Sequence, residues 1–339
     1  MLRSLATGGV VAALTLLAAT GTAVQTGAAA APADSVSVVA VGDIACQRDW
    51  PGFNSGNGRG SNCRQKWTAQ ATAAIAPDEV LALGDVQYET GQLSAFRAVF
   101  GRTFGTRFLN RTDRADNKLW PVPGNHEYGD DESSRETADG YWAYFNGGTT
   151  AKPKKSGVAG RTHQGWYRRQ TGAWTVLALN ANCDYVACGR KSTQYRWLKR
   201  QLRDRGTAPC TLAYWHQPLF TNGLEQPAGY TRLWWRLLDR YDADVVLSGH
   251  DHSYQRYPRL NAAGKPDPDG ITEFVSGAGG HSLARLVDRR GQPNFAAGSA
   301  DTTGVLHLEL ADGSFEWEYV RATYPGNGTF TDTGTDTCV

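Results

Sequence analysis

A chain of 339 residues with 40% hydrophobic and 20% charged side chains can bury a large core, which excludes a disordered, collagen-like or many-spanned membrane protein. Its 35 basic and 33 acidic residues leave a formal charge of +2. That balance is too even for a dedicated nucleic-acid or anionic-membrane binder, whose affinity comes from clustered cations.

Residues 1–33 read as a secretory signal peptide. Arg3 supplies a positive start, residues 10–19 are apolar apart from Thr15, and small residues run on to a cleavage point near Ala30 or Ala33. An uncleaved anchor is the competing reading, because the apolar zone almost reaches spanning length. Nothing further along is apolar enough to cross a membrane. Residues 34–339 contain no repeat and no proline- or serine-rich linker, and are expected to form a single domain in a secreted protein. The six cysteines, at 46, 63, 183, 188, 210 and 338, agree with export, since oxidising compartments favour disulfides. Sequence neighbours suggest Cys46–Cys63 and Cys183–Cys188, which leaves Cys210–Cys338.

The pattern then alternates strand and helix. A β-branched strand at Val36–Val41 ends in Gly42-Asp43. A glycine-rich loop over 51–60 precedes a helix at Gln65–Ile75. The apolar run 80–83 stops at Gly84-Asp85, and 119–122 leads into Pro123-Gly124-Asn125-His126-Glu127. Residues 174–179 read as a buried strand and 195–202 as an amphipathic helix. Another strand, 211–215, ends in His216. A helix over 231–241 precedes a strand at 245–247 that runs into Ser248-Gly249-His250-Asp251-His252. Residues 305–310 and 315–319 flank an Asp-Gly turn and alternate as a hairpin should. Strand–helix units with an antiparallel ending predict an α/β fold with mixed sheets.

Five of these strands end in residues able to hold a metal: Asp43, Asp85, Asn125 with His126, His216, and the pair His250 and His252. Ligands at the carboxyl ends of strands converge on the crevice where open α/β sheets bind their substrates. Carboxylate, carbonyl and imidazole donors together suit first-row metals, and one Asp can bridge two ions. In an extended chain the two histidines of His250-Asp251-His252 would point the same way. A lone Gly-Asp is usually a turn and a lone buried His usually a core residue. Five such pieces, each straight after an apolar strand, are a different matter.

In their order, Gly42-Asp43, Gly84-Asp85-Val86-Gln87-Tyr88, Gly124-Asn125-His126-Glu127, His216 and Gly249-His250-Asp251-His252 resemble the five blocks of the calcineurin-like metallophosphoesterases. The first block carries Ala45 where most of that superfamily has a histidine. Tyr88, three residues after Asp85, matches the tyrosine ligand of the purple acid phosphatase branch, and the short stretch between the expected cleavage point and Asp43 makes the chain resemble its small single-domain form. The resemblance implies a four-layer α/β/β/α sandwich of two mixed sheets flanked by helices. It also implies two metal ions, one held by Asp43, Asp85, Tyr88 and His252, the other by Asp85, Asn125, His216 and His250. Ferric iron with divalent iron, zinc or manganese is the expected pair, and two divalent ions are the alternative. His126 is then the acid that contacts substrate. The implied reaction is hydrolysis of small phosphomonoesters by a metal-bound hydroxide attacking in line. A phosphodiesterase or nucleotide pyrophosphatase would use the same core, and a catalytically silent binding protein could retain the scaffold.

The remaining motifs are expected to be bland. His281, in Ser276-Gly277-Ala278-Gly279-Gly280-His281, is read as a surface residue on a turn rather than part of the site rim. Trp50 and Trp215 are candidates for the mouth of the site. Residues 56–60 lack the following Lys-Ser or Lys-Thr of a phosphate loop. Sequons stand at Asn110 and Asn327, and no Gly-x-Ser-x-Gly elbow supports serine hydrolysis.

Overall fold

The computed structural model describes residues 1–2, 34–129, 137–204, 206 and 208–339. The chain divides into two compact units, Met1–Ala31 and Pro32–Val339. The signal-peptide reading falls on the first and lies outside the described residues; all the secondary structure discussed below belongs to the second. Among the described residues no helix is long and apolar enough to cross a membrane.

The second unit is built on two sheets. The first contains β1 (Val36–Val41), β2 (Glu79–Ala82) and β3 (Leu119–Pro121), which are parallel. The long hairpin of β11 (Gly304–Ala311) and β12 (Ser314–Arg321) and the edge strand β13 (Thr333–Thr337) add to β1 in antiparallel fashion. The order is β13-β12-β11-β1-β2-β3. The second sheet runs β10-β8-β9-β7-β6-β5-β4. Its strands are β4 (Tyr167–Thr171), β5 (Trp174–Ala178), β6 (Cys210–Tyr214), β7 (Val245–Ser248), β8 (Tyr254–Arg256), β9 (Thr272–Ser276) and β10 (Ala297–Ser299). Only β5, β6, β7 and β9 pair in parallel there.

Every residue of β5, β6 and β7 is buried, because both faces of this sheet are covered. This is why the strands read as continuous apolar runs instead of alternating. The alternation survives in what each face touches. Val176, Leu212, Leu247 and Phe274 join the core between the sheets, which also takes Val39, Val41, Leu81 and Leu306 from the first sheet. Their neighbours Leu177, Ala213, Val246 and Val275 face a separate core. Helices α5 (Thr193–Arg203) and α6 (Arg232–Arg240) fill that second core with Leu198, Leu202, Trp234, Trp235 and Leu238. Helix α1 (Gln65–Ile75) packs against β11. The architecture is therefore the expected one of helices, two mixed sheets and helices.

Three shorter helices lie between β2 and β4: α2 (Leu93–Ala98), α3 (Phe104–Phe108) and α4 (Asp139–Phe145). They were not anticipated. Phe96, Phe100 and Phe104 from one stretch and Tyr141, Tyr144 and Phe145 from another bury their rings against one another, and helices of 6, 5 and 7 residues are too short to show an amphipathic period.

All three expected disulfides form: Cys46–Cys63, Cys183–Cys188 and Cys210–Cys338. The last ties β6 to the chain end across 128 residues. Arg259, paired with Asp336 at 2.7 Å, and Asp244, which accepts from the Val339 N–H at 2.8 Å, hold the same segment. The Asn327 sequon is closed by geometry, because its amide nitrogen already donates to the Thr303 and Ala322 carbonyls. A staple over so long a loop removes much unfolded-state entropy. Replacing Cys210 and Cys338 together by serine should lower stability by about 2–5 kcal/mol in urea unfolding. Amide exchange should quicken first in β13; uniform quickening would show that the staple supports more than this edge.

Candidate metal centre

The sequence places its polar residues where β1, β2, β3, β6 and β7 end, and the fold brings those ends together. Asp43, Asp85 and His216 are fully or almost fully buried, while Asn125, His250 and His252 are partly exposed at a shared crevice. All eight residues anticipated for the site meet there.

They form two clusters with one carboxylate between them. In the first, the Tyr88 hydroxyl lies 2.9 Å from Asp43 Oδ1, 3.2 Å from Asp85 Oδ2 and 2.9 Å from His252 Nε2. In the second, His216 Nε2 lies 3.0 Å from Asp85 Oδ2, 3.2 Å from Asn125 Oδ1 and 3.2 Å from His250 Nδ1. Asp85 Oδ2 belongs to both. Ligand atoms of Asp85, His216 and His250 all lie within 4.8 Å of one another. Cys210, Asp244 and Cys338 are similarly close, but those sulfurs are joined in a disulfide and offer no thiolate.

The donor set suits metal ions. His216 Nδ1 lies 2.8 Å from the Leu83 carbonyl; donating there fixes the ring and turns Nε2 into the crevice beside Asp85, where it would be the atom to bind a metal. His252 Nδ1 is likewise 2.7 Å from Ser282 Oγ, turning Nε2 inward. Two carboxylates, a phenol, an amide carbonyl and three imidazoles offer the oxygen and nitrogen ligands that first-row cations take.

Charge in the crevice is tightly coupled. Burial would push the Asp85 carboxyl up, yet His216 and His126 hold it well below the usual carboxylate range. Burial also disfavours a charged His216, but Asp85 beside it raises this ring to about 9. Burial and the His216 charge then drive His250 down to about 3: two imidazoles this close do not both take a proton. Burial, followed by Asp43 and Asp85, pushes the Tyr88 phenol well above its ordinary value.

Backbone geometry carries part of the placement. Asp43, Asp85 and His250 all have positive φ, at 59°, 47° and 71°, a conformation that side-chain-bearing residues adopt at a cost of about 1–3 kcal/mol each and that concentrates at functional sites. Compensating bonds run between the strand ends. The His250 N–H donates to Asp43 Oδ2 at 2.8 Å and the His126 N–H to Asp85 Oδ1 at 2.9 Å. The extended reading of His250-Asp251-His252 is corrected here. The segment is a tight bend, although its two histidines still serve one cluster each, as expected. Asp251 points away from both, accepting from Thr221 Oγ1 and from the Glu225 N–H.

Three functional residues were missed or misread. Glu127 is buried, and its carboxylate accepts backbone N–H bonds from Asp85 (2.8 Å), Val86 (3.0 Å), Gln87 (3.2 Å) and Gly124 (2.7 Å). Burial and Asp85 raise its pKa to about 7. Its place beside His126 was the available signal. His281 is not a surface residue: it is 6% exposed, and its ring stacks on Tyr88 at 3.7 Å. The glycines before it bring the loop down onto β1 and α1, where the Gly279 N–H donates to the Gly42 carbonyl. Glu89 lies between His281 Nε2 at 3.4 Å and His126 Nδ1 at 3.9 Å. Of the two candidate mouth tryptophans, Trp50 reaches His281, with ring centroids 5.2 Å apart. Trp215 is core, packed edge-on against Trp234.

A family model for calcineurin-like phosphoesterase matches residues 36–254. Purple acid phosphatase 15 of Arabidopsis thaliana is 27% identical over 241 residues, covering 64% of this chain and 43% of that protein. The Fe(3+)-Zn(2+) purple acid phosphatase 12 of the same plant is 24% identical over 183 residues, covering 49% of this chain and 38% of that protein. The chain thus spans less than half the length of these curated relatives. Among solved structures, purple acid phosphatase PPD1 from yellow lupin superposes with a TM-score of 0.64 at 19% identity, over 88% of this chain and 53% of that one.

Replacing Glu127 by alanine would leave four buried N–H groups without an acceptor. Stability should fall by about 3 kcal/mol or more, and metal content, measured by atomic absorption, should fall with it. Glu127→Gln, which keeps one carbonyl acceptor, should lose less of both.

Proposed function

Because the chain belongs to the calcineurin-like phosphoesterase family, we propose that it is a secreted phosphatase that hydrolyses small phosphomonoesters at a dinuclear metal centre. The observation that carries this reading is the pair of donor clusters sharing the Asp85 carboxylate. One ion would be held by Asp43, Asp85, Tyr88 and His252, the other by Asp85, Asn125, His216 and His250. Bound there, two cations supply Lewis acidity for activating water and for neutralising charge on the phosphoryl oxygens.

The protein groups do the remaining work. Its carboxylates balance part of the metal charge and leave the crevice attractive to a phosphate anion. His126 Nδ1 is fixed at 2.6 Å from the Glu89 carbonyl, so Nε2 faces the crevice, 3.9 Å from Asp85 Oδ2. A protonated His126 can pass its Nε2 proton to the departing alkoxide oxygen as the ester P–O bond breaks. A phenol ionises near pH 10 in water, so Tyr88 as a ligand favours ferric iron at the first position. The iron–zinc name of one relative supports that choice, and zinc, manganese or divalent iron fits the second; an all-divalent pair is the alternative. Three disulfides support an oxidising destination.

His126→Ala should retain both metals yet lose about 10²–10⁴-fold in kcat on alkyl phosphates. Nitrophenyl phosphate, with its better leaving group, should lose less. Loss of metal from this variant would instead make His126 a ligand. Asp85→Asn should lose metal and turnover together, and turnover within tenfold of wild type would overturn the dinuclear reading. The iron-loaded protein should be coloured by charge transfer, and Tyr88→Phe should bleach it while the fold stays intact by circular dichroism.

A further inference from the structure

A cavity of about 620 Å³, used by none of the chemistry above, opens beside α1. Its wall carries Arg48, Lys66, Arg102 and Arg107, with Trp50 and Gln65, and no carboxylate among the described residues. Four cations facing one concavity without an anion produce a strong positive potential. The three arginines are exposed side chains with no hydrogen-bond or ion-pair partner among the described residues. Gln65 is a separate sign. It is fully buried, yet neither atom of its amide has a hydrogen-bond partner, and buried amides are rarely left so unless a ligand or water completes them. Two ring contacts connect the cavity to the crevice. Trp50 lies 5.2 Å from His281, and His281 stacks on Tyr88 at 3.7 Å. The glycine-rich loop contributes Asn54, Ser55 and Gly56 to the lining. Gly58 behind them stands at φ +73°, where a Cβ would meet the Asn62 carbonyl oxygen at 2.3 Å.

We propose that this cavity is an anion-binding subsite, which holds a second phosphate group of the substrate while the first lies among the metal ligands. The substrates it selects are small molecules carrying two or more phosphates. A guanidinium pair binds a phosphate through charge-assisted, forked hydrogen bonds, and the flat Trp50 surface accommodates the linking atoms. This inference rests on the phosphatase reading.

The test separates the two. Wild type and Arg102→Ala/Arg107→Ala are compared on nitrophenyl phosphate, hexanediol bisphosphate and tripolyphosphate. KM for the multiply phosphorylated substrates should rise about tenfold or more in the variant with kcat retained, as when binding common to ground and transition states is lost. KM for nitrophenyl phosphate should stay within about twofold. The difference should shrink in high salt, since the contacts are exposed. A rise confined to the bisphosphate would assign an organic substrate, and one confined to tripolyphosphate an inorganic chain. Equal KM values for the two proteins, or an equal rise on all three substrates, would overturn the subsite. If wild type hydrolyses none of the three, the phosphatase reading fails. Calorimetric titration with tripolyphosphate then judges the subsite alone, which stands only if the variant binds more weakly.

Discussion

The placement of the crevice depends on one buried carboxylate whose bonds all go to backbone N–H groups. Glu127 gathers four N–H groups from the turns after β2 and β3. It thereby ties two strand ends into one block that carries Asp85, Tyr88, Asn125 and His126. A carboxylate in that position gains charge-assisted bonds from donors that have no partner in a regular ladder, and these offset its removal from water. From that block the order spreads across the gap between the sheets. Asp85 accepts the His126 N–H within the block, while across the gap Asp43 accepts the His250 N–H and the Gly42 N–H donates to the Ser276 carbonyl.

This arrangement explains why three of the residues can tolerate left-handed backbone. A regular turn would point Asp43, Asp85 and His250 away from the crevice. The strained conformation aims them inward, and the surrounding bonds over-determine it. It also explains the opposed titration behaviour of neighbouring groups. Carboxylates and imidazoles packed this tightly, largely out of water, can only share a limited number of protons. Added positive charge stabilises the carboxylates and competes with the protons on the rings, so metal affinity and acidity are linked in one equilibrium.

Most of this is legible in the sequence, for a physical reason. A parallel strand covered on both faces must be uniformly apolar, so a polar residue straight after it stands out; Asp43, Asp85, Asn125, His216 and His250 were all visible that way. The sheet partners of β1 could be read only in part, since the hairpin of β11 and β12 alternates while the edge strand Thr333–Thr337 is wholly polar. That strand exists because a disulfide and the Arg259–Asp336 pair hold it, and neither leaves a periodic trace. His281 was misread for a related reason. Four small residues before a histidine look like a turn in solvent, and only the fold shows that such a segment is slim enough to pass between β1 and α1. Glu127 lay in plain view within a recognised block. Its role could not be inferred because its partners are backbone groups, which every residue possesses.

The position of β1 has a consequence for how the chain is made. It is made long before one of its neighbours, β11, with Val36 opposite Leu310. At about 5–20 residues per second, that partner follows β1 by something on the order of ten seconds or longer. Throughout that interval a strand made mostly of valine has one edge unpaired, the kind of surface that recruits other chains. Assembly of the first sheet must therefore wait until β11 and β12 have been made. A nascent chain of this design depends on being kept apart from its copies until the last hairpin arrives.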